Sequence, residues 1–261
     1  MIPAKAAKQA LKGLYRRLFK FFERRLGIHV TPVHFYSPIP TTHELDQRVF
    51  DKVFDGAGID WNVGLQLEHL EKTFPKYSHE YSPAANVGLS LMDAFILHSM
   101  IREKKPKIMI EVGAGDTTAI SLHALSLNAD LGHFSKFYSI EPYPREDIRR
   151  IKSGNFKLLE RKVQEVDRDL LASADLLFLD SSHVSKIDSD VNCEILEVVP
   201  RLKAGSIVHW HDIYSPTNYP RDWIDDGNMF WNESYMLHAF MLFNGAFKVV
   251  WASRYMQLNH P

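Results

Sequence analysis

The sequence predicts an α/β fold: a doubly wound, mostly parallel sheet with helices on both faces, preceded by a helical N-terminal cap. Three observations carry this expectation. From residue 107 onward, apolar runs of strand length alternate with stretches of helical spacing, the pattern of crossover units. One such run, Ile110-Glu111-Val112, passes straight into Gly113-Ala114-Gly115 and then into a helical stretch, as in a Rossmann-like unit. Two later runs end in Asp180-Ser181-Ser182-His183 and His211-Asp212, so reactive side chains gather at strand ends.

The elements follow in order. Residues 1–26 read as an amphipathic helix, with Leu11, Leu14, Tyr15, Leu18, Phe22 and Leu26 at three- and four-residue steps. The prolines of 32–40 impose an extended path on Phe35-Tyr36-Ser37-Pro38-Ile39-Pro40. Short helical patterns occupy 43–54 and 64–74, and a Pro/Ser/Asn-rich loop precedes a helix at 89–102. The expected strands are 107–112, 136–141, 156–160, 175–180, 205–210 and 246–252. The expected helices between them are 117–127, 144–152, 188–200 and 231–243. The plan is a cap over 1–85 and a catalytic domain over 86–261.

Composition limits what such a chain can be. With 45% hydrophobic and 12% aromatic residues in a chain of 261, it buries a sizeable core, which excludes disorder and disulfide-dependent miniature folds. Cys193 is the only cysteine, so no intrachain disulfide forms and a reducing, cytoplasmic setting is expected. The net charge of −1 conceals an asymmetry. Residues 1–26 hold eight basic groups against Glu23 alone, a net +7, which leaves −8 for the rest. An acidic body speaks against a nucleic-acid substrate. The basic arm leaves two readings open: peripheral contact with an anionic membrane, or packing on the body or on a second subunit.

The glycine turn admits two cofactors. A nicotinamide dinucleotide wants a third glycine where this chain has Thr118, and an acid about 20 residues on. S-adenosylmethionine has a ribose but no pyrophosphate, so it tolerates Thr118. Glu141, ending the second strand, suits its ribose hydroxyls, and Glu111 its cationic amino-acid end. S-adenosylmethionine is the favoured reading. At the other strand ends, Asp180, His183, His211 and Asp212 should meet at one rim, with His209 behind them. Two carboxylates and an imidazole suit a divalent ion such as Mg²⁺ or Mn²⁺. Alternatively His183 is a metal-free general base.

These motifs carry a resemblance. Glu111-Val-Gly-Ala-Gly115, Ile140-Glu141-Pro142, Phe178-Leu-Asp-Ser-Ser-His183 and His209-Trp-His-Asp212 resemble class I S-adenosylmethionine-dependent methyltransferases, more narrowly the bacterial branch grouped with macrocin O-methyltransferases. Phe35–Pro40, Lys186–Asn192, Tyr219–Trp223 and Trp231-Asn232-Glu233 extend the match, over about residues 35–255. The resemblance implies a metal held at Asp180 and His211-Asp212, although His-Asp stands where the family has two acids or Asp-Asn. It also implies a last pair of antiparallel strands, for which few residues remain after Ala252.

The combined reading is O-methyl transfer to a sugar or other small hydroxylated acceptor. Candidate cofactor contacts are Glu111, Gly113, Ala114, Gly115, Thr118, Glu141, Pro142 and Gln164. Asp180 and His183 are the catalytic candidates, Asp180, His211 and Asp212 the metal candidates, and Tyr36, Trp231, Asn232 and Glu233 the acceptor contacts. An oxidoreductase or hydroxylase-like enzyme on the same scaffold, or a non-catalytic interaction module, are the rival classes. A homo-oligomer remains open.

Overall fold

The computed structural model describes residues 4–80 and 90–261, with side chains from residue 12. Its contacts divide the chain into two units, Met1–Val49 and Phe50–Pro261. The expected boundary at 85/86 lies outside the described residues.

The first unit contains α1 (Ala4–Leu26). Gly27 ends the helix at φ 64°, a left-handed conformation that glycine adopts without penalty. A single turn, α2 (Gln47–Phe50), is all that forms of the helix expected at 43–54.

The second unit is built on five parallel strands: β1 (Ile108–Val112), β2 (Lys136–Ile140), β3 (Phe156–Leu159), β4 (Leu176–Leu179) and β5 (Ile207–Trp210), ordered β3-β2-β1-β4-β5. Five of the six expected strands therefore form, and the order reverses between β1 and β4. Alternation along each strand supplies two cores. Ile110, Val112, Leu177 and Leu179 face one layer with Val163, Leu171, Cys193 and Val198. Met109, Phe137, Leu176 and Phe178 face the other, with Ala94, Leu97 and Ile101 of α4 (Leu91–Lys104) and Ile120, Ala124 and Leu125 of α5 (Asp116–Asp130). Both faces are covered, as a parallel sheet requires.

Ahead of α4, α3 (Val63–Glu68) runs on through a π turn, His69–Thr73, and a 3₁₀ turn, Phe74–Tyr77. Two crossovers form shorter α-helices than the expected 144–152 and 188–200: α6 (Glu146–Arg149) and α8 (Asp190–Cys193), the latter continuing as a π turn, Glu194–Val198, and a 3₁₀ turn, Val199–Arg201. Between β3 and β4, where no helix was expected, lies α7 (Arg168–Ala172). After β5 come α9 (Arg221–Asp225), α10 (Glu233–Met241) and α11 (Ser253–Asn259).

The expected sixth strand at 246–252 does not form. Asn62 Nδ2 donates to the Val249 carbonyl at 3.0 Å, and the Ala252 N–H donates to Gln66 Oε1 at 2.8 Å. Val250 and Trp251 pack against Phe74, Ile96 and Met100. Side-chain amides from the α3 region thus satisfy backbone groups that a strand would pair with β5, and α11 follows instead of a last strand. Among the described residues no helix is long and apolar enough to cross a membrane.

Candidate active site

The strand register assembles the site. Ser139, Glu111, Phe178 and His209 form one row across β2, β1, β4 and β5. Two residues further along each strand, on the same face, come Glu141, Gly113, Asp180 and His211. Backbone bonds from Gly113 to Ile140, Asp180 to Val112 and His211 to Leu179, each 2.9 Å, continue the ladder to that row. The glycine turn and the reactive strand ends therefore share one rim.

Glu111 anchors the turn from below. It is fully buried, and its carboxylate accepts hydroxyl bonds from Thr117 (2.7 Å), Thr118 (2.6 Å) and Ser139 (2.7 Å). Burial raises its pKa to about 7 against the opposing pull of those hydroxyls. Thr118 Oγ1 also accepts the Gly115 N–H at 3.1 Å, which explains a threonine where dinucleotide sites carry glycine. Gly113 is required twice over. Its φ is 89°, and a Cβ there would stand 1.9 Å from the Asp180 carbonyl. Above the turn, Glu141 Oε1 accepts from Tyr143 N–H at 2.8 Å, and its Oε2 lies 3.4 Å from the Ala114 nitrogen. Pro142 follows directly, whereas Gln164 is occupied by the Asp188 carbonyl at 2.9 Å.

The second half of the rim is an Asp-His cluster. His183 Nε2 lies 3.3 Å from Asp180 Oδ1 and 3.6 Å from Asp212 Oδ2. His211 Nδ1 is 3.4 Å from both carboxylates, yet neither of its buried ring nitrogens makes a hydrogen bond within the described residues. Donor atoms of Asp180, His183 and Asp212 all lie within 4.8 Å of one another. His183 and Asp212 adopt φ of 57° and 52°, uncommon for residues with a Cβ and typical of functional strain.

Burial disfavours both imidazolium ions, but the surrounding carboxylates outweigh it. His183 rises to about 9 through Asp180, Glu233 and Asp212, and His211 to about 10 through Asp180 and Asp212. Asp180 is desolvated too, but the two histidines hold its carboxyl far below the usual range. His209, edge-on to Phe178 at 4.8 Å, is driven down to about 3 by burial and by the charge of His211.

The start of α10 clasps this cluster. Glu233 Oε2 accepts from His183 Nδ1 at 2.8 Å, and the Asn232 and Glu233 N–H groups both donate to the His183 carbonyl. Asn232 Oδ1 takes the Ser185 N–H at 2.6 Å, and the Trp231 ring sits 4.3 Å from the His183 ring. Glu233 and Asn232, expected as acceptor contacts, are instead turned inward onto the 183–185 loop, because α10 begins against it. Tyr36 belongs to the first unit, where it is exposed and stacks edge-on with Phe35.

One contact and one group escaped sequence reasoning. Glu233 reaches His183 across 50 residues, a separation with no local spacing signal. Glu194, fully buried, accepts from Ser181 Oγ at 3.1 Å, and burial with the charge of Glu233 pushes its carboxyl well up. The π turn that begins at Glu194 marks such sites often, but is invisible in composition.

A reversed five-strand parallel sheet with a glycine turn after β1 and acids ending β2 and β4 makes a Rossmann-like α/β fold with a ligand rim at its switch point. Residues 110–213 match the family described as a methyltransferase domain. The chain is also 30% identical over 186 residues to an uncharacterized protein of Archaeoglobus fulgidus, covering 61% of this chain and 80% of that one, and belongs to one family with it. Among solved structures it is similar to the SAH-bound methyltransferase PaMTH1 of Podospora anserina, at 17% identity and a TM-score of 0.45, over 69% of this chain and 80% of that one.

Proposed function

We propose that the chain transfers a methyl group from S-adenosylmethionine to a hydroxyl of a sugar or other small acceptor, with a divalent ion in the Asp-His cluster. The observation that carries this reading is the contact of Gly113 with the Asp180 carbonyl, which leaves no room for a Cβ. It joins the cofactor turn to the cluster, so donor and acceptor groups share one wall. The cofactor's ribose fits Glu141, and its amino-acid end fits the Gly113–Gly115 backbone, held by Glu111 through Thr118. Residues 1–85 serve as a cap and 86–261 as the catalytic domain.

The cluster suits Mg²⁺ or Mn²⁺. Separations of 3.3–3.6 Å are long for charged N–H···O bonds and leave the donor atoms close enough to converge on one small ion. The protons on His183 and His211 also supply the two positive charges that a divalent ion would replace. Asp180, His183 and Asp212 form the donor set in this reading, with His211 beside them. Glu233 fixes the His183 ring by taking its Nδ1–H, the usual partner of a metal-binding imidazole. A bound ion would lower the pKa of an acceptor hydroxyl and orient it. The hydroxyl oxygen then displaces sulfur in line: an O–CH₃ bond forms, the S–CH₃ bond breaks, and the hydroxyl proton leaves to solvent or a nearby carboxylate. A free His183 base fits less well, since an imidazole raised to about 9 keeps its proton at neutral pH.

Calorimetric titration with S-adenosylmethionine, S-adenosylhomocysteine and NADH tests the cofactor. Binding of NADH alone would point to an oxidoreductase, and binding of none to an interaction module. Methyl transfer to monosaccharide acceptors, with Mg²⁺ or Mn²⁺ and with EDTA, tests the metal. Activity indifferent to EDTA and to Asp212→Ala would remove it.

A further inference from the structure

The site residues Glu111, Gly113, Glu141, Asp180, His183, His211 and Asp212 all belong to the unit Phe50–Pro261, and α1 belongs to the other. Leu14, Leu18 and Phe21 fall on one stripe of this helix at four- and three-residue steps, and all three stand about half exposed. The chain returning after Gly27 covers a different flank: Tyr15 Oη donates to the Val30 carbonyl at 3.1 Å, and Phe19 stacks on His29 at 5.3 Å. Further along the same unit Val33, Phe35 and Tyr36 are more exposed still.

The charge beside this stripe is one-sided. Lys12, Arg16, Arg17, Lys20, Arg24 and Arg25 face a single acid, Glu23, a net +5 over residues 12–26. Glu23 lies 3.6 Å from His29, directed at the returning chain. Arg17 and Arg24, seven residues apart, run along one side of the stripe. At 23 residues the helix is about 35 Å long, but it is too charged to enter a bilayer lengthwise.

We propose that α1 lies in the plane of an anionic phospholipid surface, with Leu14, Leu18 and Phe21 at the acyl boundary and its basic side chains on lipid phosphates. A protein groove would satisfy the apolar stripe alone; an anionic bilayer satisfies the stripe and the surrounding cations together. The proposal is independent of the methyl-transfer reading.

Vesicle flotation of the full chain is the test, with phosphatidylcholine alone and with phosphatidylcholine and phosphatidylglycerol in equal amounts. The chain should float with the anionic vesicles only, and high salt should release it. The charge variant R16E/R17E/K20E should bind at least about a hundredfold more weakly, and L14S/L18S/F21S should lose flotation. Both variants should bind S-adenosylmethionine as the parent does, or, if the parent binds none, unfold at the parent's temperature, which separates lost docking from lost folding. Equal flotation by parent and variants would overturn the proposal. So would no flotation together with a concentration-dependent dimer that L14S/L18S/F21S abolishes, which assigns the stripe to a second copy.

Discussion

His183 and His211 shape the alkaline side of the metal-free protein's pH dependence, while the raised Glu111 carboxyl acts below about 7. Both imidazoles sit above their ordinary 6.5 in the folded state, so the stability they contribute is complete below 6.5 and is lost as pH rises through about 9 and 10. Asp180 is depressed, so its contribution is present above about 3.8 and is lost on acidification. Thermal unfolding across this range should therefore show an alkaline decline beginning near 6.5, and His183→Asn with His211→Asn should flatten it. An unchanged alkaline limb in the double variant would refute the assignment. Gly113→Ala should cost several kcal/mol, on the order of 3 or more, because both the left-handed φ and the Asp180 carbonyl resist a methyl group. Urea denaturation measures it. The identity of these residues was legible in the sequence, since each ends an apolar run. The partners were not: nothing near His183 in the chain announces Glu233, and nothing near Gly113 announces that the Asp180 carbonyl closes over it.

At the scale of elements, the segment 246–252 shows how context overrides pattern. Its apolar run satisfies a strand's period and composition, yet Gln66 holds it in another conformation, bonding the Ala252 N–H and the Trp61 carbonyl from a fully buried position. Gln66→Ala should leave both groups unpaired and destabilise the fold by about 1–3 kcal/mol, read from a urea midpoint at constant slope. A second buried tie joins Glu80 to α4: Arg102 Nε and Nη2 bind both oxygens of Glu80 at 2.6 and 2.9 Å, and His98 lies 3.3 Å from the same carboxylate. Removing Arg102 strands a largely buried acid, so Arg102→Ala should cost about 3 kcal/mol. The short crossovers α6 and α8 were read as longer helices because their helical spacing continues into π, 3₁₀ and irregular turns, whereas α7 is too short to show a helical period.

At the scale of the molecule, a ligand that binds only the folded state stabilises it by mass action. S-adenosylmethionine at a hundredfold excess over its dissociation constant should add about 2.7 kcal/mol, a rise in Tm of roughly 5–10 °C. Deleting residues 1–26 should leave that shift intact, because Glu111, Gly113 and Glu141 all belong to the unit Phe50–Pro261. Loss of the shift on deletion would tie the arm to cofactor binding. The near-zero total charge divides along the same lines, with the cations concentrated in α1 and an acidic excess in the remainder.

What the sequence alone determined is local and periodic. Alternating strand and helix spacing specified the parallel sheet, and five apolar runs specified its strands. Glycines after β1 specified the turn, and polar residues ending β2, β4 and β5 specified the rim, because parallel strands finish together. Tertiary structure decided what depends on contacts between distant segments. It drew α10 onto His183, so that Glu233 and Asn232 hold the loop, and drew 246–252 onto the α3 region, so that no sixth strand forms. Such choices turn on which buried polar group finds a partner, and a partner 50 or 186 residues away leaves no mark on local spacing.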